Sequence, residues 1–195
     1  ASMTRAAAAA AKKGIPIVCD PVGVGATPYR TRVFRSLLEK AWPTAIRGNA
    51  SEIIAAGGDF SATKGVDSAA ASESALASAQ WLSGQHDCVV CVSGPSDYVV
   101  DQERVARVEN GHPLMPRVTG LGCTATALCG AFVAVQPDRL RAVVSAMAVM
   151  GIAGEIAGEK AAGPGSMQMH FLDALHGLDG EGISRRLRLR WETGA

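Results

Sequence analysis

The chain has 195 residues, 48% of them hydrophobic and 19% charged, with a formal net charge of +1. That length and composition suit one globular, alanine-rich core and exclude a disordered chain, while the near-neutral balance gives no electrostatic case for nucleic acid or for an acidic membrane surface. The longest uncharged helical stretch, residues 142–154, is too short to span a bilayer, and residues 1–11 lack the apolar centre of a signal peptide.

In chain order, residues 4–13 read as a helix stopped by Gly14, with basic residues near its end. A βαβ unit needs a strand before such a helix, so the expectation is a chain that lacks upstream sequence. Residues 15–19 form a short apolar strand ending at Asp20, followed by a loop carrying Gly23 and Gly25. Ligands of parallel sheets sit at the carboxyl ends of strands, where Asp20 would stand; a turn or capping role accounts for it equally well. Residues 29–42 have helical spacing (Val33, Phe34, Leu37, Leu38, Ala41) with Pro43 beyond. A strand at 45–48 leads to Asn49 and, three residues on, Glu52, the spacing of a capping box. The functional alternative puts Glu52 beside Asp20 as two carboxylates suited to Mg²⁺ near phosphates.

Residues 64–68 read as a loop and 69–82 as an alanine-rich helix. The nearly continuous apolar run 87–93 is a buried parallel strand, and 98–101 with 104–109 an antiparallel hairpin. Cys88 and Cys91 form C-x-x-C, but on a strand they point to opposite faces, which disfavours a redox pair or metal clip. The four histidines show no zinc-ligand spacing. An odd count of five cysteines without a secretory segment fits reduced thiols and a cytoplasmic protein. Residues 139–160 are one long helix, and a further helix follows the Gly163-Pro164-Gly165-Ser166 break. The basic end, 185–195, reads as a flexible tail. No repeat or linker divides 1–195 into more than one domain.

The stretch 118–126 organises the rest. A strand-like approach at 114–118 enters a turn at Gly120 and Gly122, and a helical run of small and apolar residues follows. Glycine lets the backbone bend sharply and approach a ligand, and the first amides of a helix are a ready anion site. Cys123 stands at its mouth. A structural turn with a buried cysteine is the plainer account of G-x-G-C alone. Its company argues otherwise: Asp20, Arg47, Glu52, Ser93 and Cys123 are all expected just after strands, at one edge of a three-layer α/β/α sheet.

As a set, these segments resemble the hydroxyethylthiazole kinases of the ribokinase-like superfamily. The matching stretches are Asp20-Pro-Val-Gly-Val-Gly-Ala26, Ile46-Arg-Gly-Asn-Ala-Ser-Glu-Ile53, Gly65-Val-Asp67, Ser93-Gly94 with Asp97-Tyr98-Val99, Thr119-Gly-x-Gly-Cys123, and Gly163-Pro-Gly-Ser166 with Phe171-Leu-Asp-Ala-Leu175. The resemblance implies a mostly parallel central sheet with a late antiparallel hairpin. It implies ATP- and Mg²⁺-dependent phosphorylation of the hydroxyl of 4-methyl-5-(2-hydroxyethyl)thiazole in thiamine biosynthesis or salvage, by a homotrimer. It assigns Arg47 and Ser93 to the nucleotide and Gly120 to the thiazole. It places Gly120, Gly122 and Cys123 in a catalytic loop, and Asp20 and Glu52 near Mg²⁺ and the phosphates. The family's N-terminal segment, which helps form its site, has no counterpart here. Another ribokinase-like alcohol kinase, of pyrimidine or pyridoxal type, and an inactive anion-binding remnant are the alternatives.

Overall fold

The computed structural model describes residues 2–58 and 74–192. Among them six strands form one sheet in the order β1 to β6: β1 (Val18–Cys19), β2 (Ala45–Asn49), β3 (Val89–Ser93), β4 (Asp97–Asp101), β5 (Arg104–Val108) and β6 (Leu189–Glu192). The pairs β1–β2 and β2–β3 are parallel, and the remaining three are antiparallel. The sheet is therefore less parallel than expected. Short turns join β3 to β4 and β4 to β5, and such turns can only reverse the chain.

Period-two alternation divides the core into two layers. Val89, Cys91, Val99 and Ala106 face one cluster, while Cys88, Val90, Val92 and Val100 face the other. The first cluster is closed by α5 (Leu121–Val133), α6 (Arg139–Gly158) and α7 (Pro164–Gly177), through Cys129, Met147 and Phe171. The second is closed by α2 (Pro28–Ala41), α3 (Ala50–Gly57) and α4 (Leu76–His86), through Phe34, Ile53 and Leu82. Helices α1 (Ser2–Lys12) and α8 (Gly180–Arg186) complete the described set. This is the expected three-layer α/β/α arrangement, with Cys88 and Cys91 on opposite faces. Helix α6 is long and apolar enough to cross a bilayer by length and composition, but 72% of its apolar window is buried inside the fold, as in a core helix.

Two further expectations fail. Residues 114–118 are not a strand: Met115–Arg117 form a 3₁₀ turn and only Val118 is extended, because Pro116 fixes φ and removes a ladder donor. Of the expected flexible tail, the described part, residues 185–192, is structured. Arg185 and Arg186 end α8, and Leu189–Glu192 adds β6 to the free edge of β5. The Glu109 amide donates to the Arg188 carbonyl at 2.9 Å, and Arg190 pairs with Glu109 at 3.1 Å. The basic residues are thus spent on acidic neighbours. The loop expected at 64–68, the start of the alanine-rich helix and the Gly65–Asp67 stretch lie outside the described residues.

One packing feature sets the approach to the glycine turn. Gly151, Gly154 and Gly158 of α6 receive Asn110, Met115 and His112, and a Cβ on Gly151 would stand 2.5 Å from the Asn110 carbonyl oxygen. Buried Asn110 is also tied to three groups. Its Nδ2 donates to Glu155 Oε1 (3.0 Å) and to the Arg186 carbonyl (2.8 Å), and its Oδ1 accepts from the Arg188 amide (2.8 Å). Gly151→Ala gains about 1 kcal/mol of helix propensity but overpacks against backbone, at about 1–3 kcal/mol. The net expectation in chemical denaturation is a loss of stability. An Ala variant more stable than the parent would show that residues 110–115 yield freely.

Candidate active site

The parallel half of the sheet brings its carboxyl ends together. Cys19 pairs with Ile46, and Asn49 with Ser93, so Asp20, Asn49 and Ser93 share one edge. Two helix N-termini open onto it, those of α3 and α5. Asn49 caps α3: its Oδ1 accepts from the Glu52 amide at 3.0 Å, while Glu52 Oε2 accepts from the Asn49 amide at 3.1 Å. The capping account of Glu52 is therefore right. Its other oxygen, Oε1, accepts from the Gly23 amide at 2.9 Å and ties the loop after β1 to the same helix.

Helix α5 begins differently. Gly120 is its N-cap at φ 93°, a left-handed conformation that favours glycine, and no side chain caps it. The Thr124 amide bonds the Gly120 carbonyl at 2.9 Å. The amides of Leu121, Gly122 and Cys123 precede the first intrahelical bond and remain donors for an anion. A Cβ on Gly120 would project into open space, whereas one on Gly122 would come within 3.2 Å of Arg47 Nη1. Cys123 is exposed, the other four cysteines are buried, and all five are free thiols.

Arg47 lies at the centre of β2 rather than after it. Its Nη1 donates to the Gly122 carbonyl at 3.1 Å and its Nη2 to Ser93 Oγ at 2.7 Å, and Ser93 Oγ donates on to the Gly48 carbonyl at 3.1 Å. The Arg47 Nε is buried with no hydrogen-bond partner. Asp20 Oδ2 accepts from Thr126 Oγ1 at 2.7 Å. Burial pushes the Asp20 carboxyl up; the Thr126 bond and the Arg47 charge pull it down, and Glu52 pushes it up again. Asp20, Arg47, Glu52, Ser93 and the Gly120–Cys123 turn thus converge. Among the described residues no group of three or more His, Cys, Asp or Glu could hold a metal ion by itself.

Two residues that carry this geometry had no role on sequence grounds. Thr126 fits its helix without needing a partner, and its partner lies 106 positions away. Asp97 follows a Gly-Pro turn, where an exposed aspartate is the ordinary expectation. It is instead buried, 7% exposed, with Oδ1 accepting from the Gly94 amide at 3.0 Å.

A sheet edge where parallel strands end, with an uncapped glycine-led helix beside an arginine, is the ribokinase-like arrangement of a small-molecule kinase. Pyridoxal kinase from Staphylococcus aureus shares this fold, with a TM-score of 0.59 at 18% identity, over 91% of this chain and 62% of that one. The chain itself belongs to the hydroxyethylthiazole kinase family, whose profile matches residues 1–181. A relative described as hydroxyethylthiazole kinase, from Syntrophus aciditrophicus, is 53% identical over 96% of this chain and 70% of its own length. The solved hydroxyethylthiazole kinase protein of Pyrococcus horikoshii superposes with a TM-score of 0.88 at 38% identity, covering 98% of this chain and 71% of that one.

Burial pushes the Asp97 carboxyl up from 3.8 to about 7, against the lowering pull of the Gly94 amide and of Arg47. Between about pH 4 and about pH 7 the folded state therefore keeps a proton that the unfolded chain releases. Stability must fall as pH rises through that window. Asp97→Asn keeps an oxygen for Gly94 and removes the titration. Its melting temperature should fall less than that of the parent between about pH 5 and about pH 8. Equal slopes in the two proteins would show that Asp97 titrates in its ordinary range.

Proposed function

We propose that this chain transfers the γ-phosphoryl group of ATP to the hydroxyl of 4-methyl-5-(2-hydroxyethyl)thiazole, giving the thiazole phosphate and ADP. The observation that carries this reading is the uncapped N-terminus of α5, held against the sheet by Arg47. Phosphoryl transfer asks little covalent chemistry of a protein; it asks for positioning and for donors aimed at developing charge. The Leu121, Gly122 and Cys123 amides supply those donors. Arg47 has N–H groups to spare beyond its bonds to Ser93 and Gly122, and these reach the nucleotide phosphates as charge-assisted donors. Ser93 fixes the plane of the guanidinium. Gly120 keeps open the space in which the thiazole side chain enters. Cys123, exposed beside this turn, accepts the hydroxyl proton at its Sγ.

Asp20 and Glu52 fit Mg²⁺ as partners through water rather than as a closed ligand set. Three of their four carboxylate oxygens already accept a hydrogen bond from this chain, and each accepting oxygen retains a further lone pair. Mg²⁺ keeps several of its waters and takes phosphate oxygens as ligands. When bound, it supplies charge neutralisation for the polyphosphate. The reading extends to a single kinase domain that acts as a homotrimer in the cytoplasm. Light scattering tests the assembly.

Arg47→Ala should raise the KM for ATP more than the KM for the thiazole alcohol, since a charged hydrogen bond contributes roughly 1.5–3 kcal/mol. Cys123→Ala should still bind ATP and should turn over about 10²-fold more slowly, at the low end for loss of a general base, because the loop amides remain. Steady-state kinetics on a panel of alcohols checks all three points. A preference for a pyridoxal- or pyrimidine-type alcohol, or an Ala variant with the parent kcat, would overturn the substrate and the base respectively.

A further inference from the structure

The Thr126 hydroxyl has two acceptors and one proton. It lies 2.7 Å from Asp20 Oδ2 and 3.3 Å from the Gly122 carbonyl, four residues back on its own helix. Bonding to the carbonyl at i−4 is the common local habit of threonine in a helix and needs nothing from the rest of the fold. Here distance and charge both favour Asp20, since a carboxylate is the stronger acceptor and charge-assisted bonds are the shorter ones. The choice has two effects. It occupies Asp20 Oδ2, while no bond to Oδ1 is seen among the described residues. It also leaves the Gly122 carbonyl to Arg47 Nη1, which donates to it at 3.1 Å.

A continuous polar chain results. It runs from Asp20 at the end of β1 through Thr126 to the first turn of α5, then through Gly122 and Arg47 to Ser93 and the Gly48 carbonyl. Thr126 is the joint between its acidic and basic halves. We infer that Thr126 is a positioning residue, which orients the Asp20 carboxylate toward the metal–nucleotide complex and holds the anion-binding turn in register with it. This rests on the role proposed above for Asp20. A threonine that merely staples helix to sheet would matter for stability alone; a positioning threonine matters for the metal-bearing nucleotide.

The test uses the full chain with Thr126→Val, which keeps the shape and removes the hydroxyl, Thr126→Ser, which restores the hydroxyl, and Asp20→Asn. ADP binding is titrated by calorimetry over a range of Mg²⁺ concentrations, beside melting temperatures and steady-state rates. Thr126→Val should need about tenfold more Mg²⁺ for half-maximal ADP binding, at the low end of what loss of a partner behind a metal-facing group costs. ADP binding without Mg²⁺ should stay near the parent's, and Thr126→Ser should return the Mg²⁺ requirement close to the parent value. In a double-mutant cycle, Thr126→Val on Asp20→Asn should add little. If Thr126→Val does not fold, Thr126→Ala is read in the same titration. The inference is overturned if Asp20→Asn shifts the Mg²⁺ requirement while removal of the Thr126 hydroxyl does not, or if only the melting temperature moves. A parent-like Asp20→Asn overturns it too, and in that case the metal role of Asp20 falls first.

Discussion

The site depends on one side chain that bonds across the layers. Arg47 rises from the centre of β2, donates sideways to Ser93 at the end of β3, and donates upward to a carbonyl in the first turn of α5. The apolar side of this helix end, Leu121 and Ala125, is buried in the core, but that burial does not by itself fix its uncapped first turn at the polar end of the sheet. The guanidinium adds a polar anchor, because it takes the second lone pair of the Gly122 carbonyl and leaves the first amides of the helix free. The arrangement has a cost. The Arg47 Nε is shut from solvent without a partner, and an orphaned buried donor costs about 1–3 kcal/mol. Violations of polar satisfaction collect where a fold trades stability for function, and this one lies directly beneath the turn proposed to receive the phosphoryl group.

The two halves of the sheet divide the work. The parallel pairs β1–β2 and β2–β3 put three strand ends at one edge and so gather Asp20, Asn49 and Ser93. The antiparallel strands β4 to β6 add no residue to that edge beyond Asp97, which lies inside it. They carry the chain to Asn110, where the glycine face of α6 receives the following loop at backbone distance. That seat sets where the 3₁₀ turn ends and where Gly120 begins. The antiparallel half thus acts on the site through the path of the connecting loop.

Much of this was legible in the sequence, for reasons that can be named. Helices α2 and α6 follow from apolar spacing with clear stops, and β3 from an unbroken apolar run whose odd and even residues serve different cores. The convergence of Asp20 and Ser93 follows from strand ends, whereas Arg47 reaches the site from the middle of β2 and the glycine turn follows a 3₁₀ turn. Residues 114–118 misled because an apolar run outweighed Pro116, which cannot donate to a ladder. The tail misled because its basic residues look solvated until Glu109 and Glu155 are placed beside them. Thr126 and Asp97 stayed invisible for a different reason. What distinguishes each is a partner or a burial fixed only by tertiary structure, and neither residue type nor spacing carries that information. Glu52 is intermediate: the capping box is local and readable, whereas its bond to Gly23 is not.

The electrostatics of the site follow from how its charges are already engaged. Three carboxylates, those of Asp20, Glu52 and Asp97, stand around one arginine, and counted as formal charges they would repel a polyphosphate. Each, however, is partly spent. Burial holds Asp97 toward its neutral form, both Glu52 oxygens accept backbone amides, and Asp20 accepts the Thr126 hydroxyl. The groups left to meet an anion are donors: the first amides of α5 and the remaining Nη hydrogens of Arg47. Directional donors can seat an anion where net charge would not, because a hydrogen bond acts at contact distance while screened charges fade over roughly 8–10 Å at ordinary ionic strength. They cannot neutralise several negative charges at once. On the reading proposed above, a nucleotide bound here has to bring its own cation, and the carboxylates of Asp20 and Glu52 are the groups proposed to meet the water shell of that ion.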